Sequence, residues 1–217
     1  IAYCKEENYN RTEMLELLAN FSLVPEQIAD VVDENWNASW EENFKEAIIG
    51  EHIQARAPFH PSSGYKYDII ITPKMAFGTG HHETTRLSGI ALERLDCEGK
   101  AVLDMGCGSG LLAILASQKG AKRVLAIDYD ANCVENTLEN IQLNKAKNVE
   151  VQQADSVNQL TEKFDIIVSN IVKNINLRLL PEFVAKLNIG GHLILCGFLD
   201  QDLDEQLKAA TAHGLTL

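Results

Sequence analysis

From Ala101 onward, short apolar blocks alternate with longer stretches in which apolar residues recur at helical spacing. The blocks predict strands near 101–104, 123–128, 149–152, 164–170 and 191–198. The stretches between and after them predict helices near 109–119, 131–144, 174–188 and 200–213. Strands alternating with helices at this spacing imply a mostly parallel sheet with right-handed crossovers, covered on both faces. The fold class is therefore α/β, doubly wound. Ligands in such sheets lie beyond the carboxyl ends of the strands. Gly106, Asp128, Asp155 and Asn170 all follow strands and are expected to share one crevice.

The pattern changes before Ala101. His52–Ala57 and Tyr67–Thr72 read as two strands forming a hairpin. Upstream, Trp36, Trp40 and Phe44 fall at four-residue steps, which puts three aromatics on one helical face. Their expected role is to pack a linker helix, residues 35–47, onto a neighbouring domain. In residues 1–34, Ile1-Ala-Tyr3 reads as a strand remnant, and Gln27–Val32 as a strand or short helix. Between them Asn10 is placed to cap a helix whose Met14, Leu15, Leu18 and Phe21 share a face. This segment is too short to bury a core alone. It is expected to be part of a small α+β domain, with residues 48–217 as the main domain.

Composition narrows the class. The 217 residues, 46% hydrophobic and 23% charged, suit a globular domain with a small appendage. A net charge of −12 disfavours non-specific nucleic-acid binding and suits a basic partner. Five cysteines, Cys4, Cys97, Cys107, Cys133 and Cys196, stand singly without a C-x-x-C pair. They imply reduced thiols and a cytoplasmic protein. No apolar run reaches the length of a membrane span, and no signal peptide is legible.

The chemistry is concentrated in Asp104-Met-Gly-Cys-Gly-Ser-Gly110 and the Leu-Leu-Ala run that follows. Glycines at alternate positions between a strand and a helix permit close approach of a ligand to backbone. The helix start beyond them offers unpaired N–H groups. The dinucleotide fingerprint is G-x-G-x-x-G and serves a pyrophosphate. Here the pattern is G-x-G-x-G behind an acid, which favours a cationic ligand. A second strand ends in Asp128, about twenty residues on, where an acid accepts from a ribose hydroxyl pair. The combination resembles the S-adenosylmethionine (SAM) site of Rossmann-like methyltransferases.

A second motif is Ala76-Phe-Gly-Thr-Gly-His-His-Glu-Thr-Thr85. Gly78 and Gly80 predict a loop, and Thr84 and Thr85 the first turn of a helix running to Leu95. Hydroxyl and N–H groups there suit a ligand carboxylate. His81, His82 and Glu83 invite a metal reading, but this local trio has no further clustered ligands, and no metal is expected.

The A-F-G-T-G-H-H-E-T-T element, Asp104–Gly110, Ile127-Asp128 and Ser169-Asn-Ile171 occur in one order. Together they resemble the PrmA family, bacterial methyltransferases of the eleventh protein of the large ribosomal subunit. The resemblance covers residues from about 35 to 217 well and the first part loosely. It implies a Rossmann-like, SAM-dependent catalytic domain, a linker helix and part of a small substrate-recognition domain. It further implies two strands beyond Leu217 and the other half of the recognition domain. It implies SAM contacts from Thr85, Asp104, Gly106, Gly108, Gly110, Asp128 and Asn170, with Asn170 also orienting the substrate amine. His81 and Val172-Lys173 depart from the family's usual residues and bear on substrate selection.

The activity this implies is N-methylation of lysine side chains and the N-terminal amine of a basic ribosomal protein, by a monomer. No dedicated base is evident. Asn170 is followed by Ile-Val, not the Pro-Pro used on planar nitrogens, which favours an aliphatic amine. A small-molecule methyltransferase on the same fold is the alternative. A SAM-binding module without catalysis is a third reading, which the intact motif residues disfavour.

Overall fold

The computed structural model describes residues 10–22, 45–73 and 77–217. The chain forms two compact units, Ile1–Asn43 and Phe44–Leu217. In the first, the described element is helix α1, Arg11–Asn20. Asn10 caps it as expected, its side-chain oxygen accepting from the Thr12 and Glu13 N–H groups at 3.1 and 3.3 Å. Met14 and Leu18 are its partly covered apolar positions, whereas Phe21 is exposed. The expected Ile1–Tyr3 strand, Gln27–Val32 element and Trp36–Phe44 stripe lie outside the described residues.

The second unit opens with three short strands: β1 (Ala47–Ile49), β2 (Ile53–Arg56) and β3 (Tyr67–Ile70). The expected hairpin between the latter two is not what forms. β2 pairs parallel to β3, Ile53 opposite Tyr67, and the antiparallel partner of β2 is β1. The reason is local. Gly50, at φ +59°, lets the chain reverse between Ile49 and Ile53, so β1 takes that edge. Residues 57–66 then carry the chain back so that β3 runs alongside β2. Ala47 is thus a strand residue, not the end of a linker helix.

The main sheet is five parallel strands: β4 (Ala101–Met105), β5 (Arg123–Asp128), β6 (Val149–Gln153), β7 (Phe164–Asn170) and β8 (Leu187–Cys196). Their spatial order is β6-β5-β4-β7-β8. Helices α2 (Glu83–Arg94), α3 (Leu111–Gln118), α4 (Ala131–Leu143), α5 (Lys173–Lys186) and α6 (Leu203–Ala212) complete the unit. The alternation of the strands divides the core. Val102, Val124, Ala126, Ile166 and Val168 join Ile49, Ile53, Ile69 and the apolar residues of α3. Leu103, Leu125, Ile127 and Ile167 pack with Leu179 and Phe183 of α5. Burial on both faces is why these strands read as continuous apolar runs.

β8 begins four residues before its expected start. Phe164 pairs with Leu187 and Ile166 with His192, so residues 188–191 bulge out opposite Asp165. Gly190 takes φ +76° there, and a Cβ on Gly191 would sit 2.9 Å from the Asp165 carbonyl. The glycine pair that reads as a strand boundary instead makes the bulge. Among the described residues no helix is long and apolar enough to cross a membrane.

Candidate active site

The chain order reverses between β4 and β7, and a crevice opens at the carboxyl ends of such a pair. Its floor is the glycine loop. Gly106 follows β4 with φ +75°, and a Cβ there would lie 2.1 Å from the Ile171 Cγ2. Gly108, at φ +56°, brings its Cα against the Phe77 carbonyl, which a Cβ would meet at 2.4 Å. The same carbonyl accepts from the Ser109 N–H at 2.9 Å, and the Ser109 hydroxyl donates to the Gly78 carbonyl at 2.8 Å. The two sequence motifs are therefore bonded to each other. Gly110 has a different reason: it starts α3 at φ +79° against Thr137 of α4.

Two acids hold the loop. Asp128 accepts from the Gly108 N–H at 2.9 Å through Oδ2 and from the Asp130 N–H at 3.0 Å through Oδ1. Each carboxylate oxygen retains a second lone pair for a ligand hydroxyl. Asp104 is fully buried, and its Oδ2 accepts from the Ala113 N–H at 3.0 Å. It thereby does the work of the missing side-chain cap on α3. Its Oδ1 has no partner. Burial, reinforced by the nearby Asp128 charge, pushes its carboxyl up from 3.8 to about 7. A cation bound beside it would restore the ionised form.

α4 secures the loop from behind. Asn140 donates to the Ser109 carbonyl at 2.8 Å and accepts from the Thr72 N–H at 2.9 Å, while Asn144 accepts from the Ile70 N–H at 2.8 Å. Cys107 is buried with its Sγ 3.4 Å from the Thr137 hydroxyl, and burial pushes its thiol well up. A thiol so held is a poor nucleophile.

The opposite wall is the turn after β7. The Asn170 side chain donates to the Thr85 hydroxyl at 3.3 Å. Thr85, in the first turn of α2, is buried, and the Asn170 Oδ1 is buried without a partner. Asn176 of α5 staples this turn, a role sequence reasoning missed. It donates to the Ile171 and Cys196 carbonyls at 3.0 and 2.8 Å and accepts from the Ser169 hydroxyl at 2.7 Å. A buried asparagine inside a helix, where its propensity is low, is the signal that was available. Asp155, expected in the same crevice, is exposed, and no hydrogen bond joins its side chain to these groups.

The histidines serve structure. His82 caps α2 by accepting from the Thr84 N–H at 3.2 Å, and His81 lies 2.8 Å from the Lys45 carbonyl. Among the described residues no three metal-binding side chains converge.

A family model, ribosomal protein L11 methyltransferase (PrmA), matches residues 1–217. The chain belongs to this family. A ribosomal protein L11 methyltransferase of Bacteroides fragilis is 43% identical over 99% of this chain and 79% of the relative. One from Porphyromonas gingivalis is 45% identical over 85% of this chain and 65% of the relative. The crystal structure of ribosomal protein L11 methylase from Lactobacillus delbrueckii subsp. bulgaricus is 30% identical, with a TM-score of 0.71 over 78% of this chain and 89% of that one. L11 methyltransferases are SAM-dependent protein methyltransferases, and this is the enzyme class of the chain. The crevice fits that cofactor. It offers an unpaired buried carboxylate oxygen for a cationic ligand.

Proposed function

We propose that this chain transfers the methyl group of SAM to lysine side chains and the N-terminal amine of ribosomal protein L11. The observation that carries the reading is the Asn170 Oδ1, buried and unpartnered at the switch point above the glycine floor. An amide oxygen accepts an N–H but takes no proton, which suits an amine that arrives neutral. When bound, SAM supplies an already activated methyl group on a sulfonium.

In this reading Gly106 and Gly108 let the loop close under Ile171 and against Phe77, so that its backbone lines the cofactor site, and Gly110 opens α3 beside it. Asp104 supplies the counter-charge through its free Oδ1. Asp128 accepts from the ribose hydroxyls while continuing to hold the Gly108 N–H. Thr85 orients Asn170 through its hydroxyl, and Asn170 would accept one amine N–H and so hold the orientation of the nitrogen lone pair. Bound SAM would supply the methyl carbon with its sulfur as the leaving group, and the surplus proton of the resulting ammonium would pass to solvent. Catalysis is then chiefly positioning. Deprotonation of the lysine is favoured by desolvation in the crevice.

Residues 1–34 hold the protein substrate, and the stretch from residue 35 up to β1 links them to a catalytic unit that binds SAM as a monomer in the cytoplasm. The partition of the chain at Asn43, and the location of every crevice residue beyond it, support this division. The acidic charge favours a basic protein over nucleic acid.

Calorimetry of SAM binding to Asp128→Ala tests the cofactor assignment. Loss of a charge-assisted hydrogen bond costs about 1.5–3 kcal/mol, or roughly ten- to a hundredfold in affinity. Unchanged affinity contradicts the assignment.

A further inference from the structure

The catalytic unit carries a surface beside Asn170 that the cofactor reading leaves unused. The turn after β7 and the turn after β8 are tied into one ledge. A Cβ on Gly197 would sit 2.2 Å from the Ile171 carbonyl, so the two backbones touch. Asp202 braces the ledge, accepting from the Lys173 ammonium at 2.9 Å through Oδ1 and from the Leu199 N–H at 3.2 Å through Oδ2. Lys173 also pairs with Glu205 at 3.1 Å. These pairs consume the cation of the ledge.

What remains outward is apolar and acidic. Val172 is 64% and Leu199 66% exposed. Asp200 and Asp204 are exposed and make no ion pair among the described residues. Val172 stands two residues from Asn170, whose Oδ1 is buried and unpartnered. An apolar edge next to unpaired negative charge, leading to an orphan acceptor, fits one kind of occupant. A lysine has an aliphatic stem that lies on apolar surface and a head that is cationic at neutral pH. Its basic neighbours in a chain would meet Asp200 and Asp204.

We propose that the turns Asn170–Lys173 and Gly197–Glu205 form a ledge on the catalytic unit that docks the lysine-bearing segment of a basic protein substrate. The inference rests on the reading of Asn170 as the amine acceptor. Val172 and Leu199 carry the aliphatic stem, and Asp200 and Asp204 draw in the flanking cations. Rim charges of this kind act through encounter rate and are weakened by salt.

The test is steady-state methyl transfer from labelled SAM to purified ribosomal protein L11 at low and high salt. The variants are Asp200→Lys/Asp204→Lys, Asp200→Asn/Asp204→Asn, and the control Glu51→Lys/Glu98→Lys, two exposed acids away from the ledge. The charge-reversed ledge should raise KM for the protein by about tenfold at low salt, less at high salt, with SAM affinity retained. The neutralised pair should shift KM in the same direction by less, and the control should match wild type. An unchanged KM in the reversed pair overturns the proposal, as does an equal rise in the control or a loss of SAM affinity. A wild-type enzyme inert on L11 would instead overturn the substrate reading itself.

Discussion

Replacing Asp104 by asparagine separates what the buried acid costs the fold from what it does for the ligand. Its carboxyl ionises near 3.8 when unfolded and at about 7 in the native crevice, chiefly because burial penalises the charge. The native state therefore holds this proton over a pH range in which the unfolded chain has released it. The resulting stability is complete below 3.8 and is lost as pH rises through about 7. At about 1.4 kcal/mol per unit, the loss between pH 5 and pH 8 is roughly 2–3 kcal/mol. The substituted amide of Asp104→Asn would not titrate. It would keep an acceptor for the Ala113 N–H and bury an unpaired amide at an offset of about 1–3 kcal/mol that does not vary with pH. Thermal melting of ligand-free enzyme reads the difference. Relative to wild type, the variant's Tm should rise by roughly 5–10 °C between pH 5 and pH 8. With SAM present the variant should gain less stabilisation than wild type. A Tm difference that is flat with pH would refute the assignment of a costly buried charge to Asp104.

Gly108→Ala must adopt φ +56° and collide with a backbone carbonyl, whereas Gly99→Ala at φ +68° meets nothing within 4 Å. Both pay about 1–2 kcal/mol of left-handed strain, so the extra melting loss and the weakened SAM binding of Gly108→Ala isolate the contact with Phe77; equal behaviour of the two variants contradicts it. Cys107→Ala should keep turnover within a few-fold, and the wild-type thiol should resist alkylation at pH 8 in the native state. A collapse of turnover with SAM binding intact would point to a role in the chemistry.

The inner strands β4, β5 and β7 were legible within a residue because both of their faces are buried, which leaves continuous apolar runs bounded by glycine or charge; β6, at the sheet edge, was legible from its position in the strand–helix alternation. The same reading failed for β2 and β3. The pair forms, but in parallel, because the tight reversal at Gly50 makes β1 the antiparallel neighbour of β2 and residues 57–66 return the chain to its other edge. Gly190-Gly191 misled in the opposite sense, since a bulge and a strand end use the same residue type. In the crevice, the glycine loop and Asp128 could be found because their spacing is local and chemical. The carbonyl of Phe77 over Gly108 could not, and the Asn176 staple on the Asn170 turn left only the weak mark of an asparagine inside a helix. They are tertiary contacts made by backbone atoms and by a polar residue. The role of Asp128 as the anchor of the Gly108 N–H was not legible in the sequence.

The central claim is tested most directly by intact-protein and peptide mass spectrometry of unmethylated ribosomal protein L11 after incubation with the enzyme and isotopically labelled SAM. The account predicts mass increments of transferred labelled methyl groups on lysine side chains and the N-terminal amine, greatly diminished with Asn170→Ala. Label absent from L11 while SAM binds normally, or label on L11 undiminished by Asn170→Ala, would contradict it.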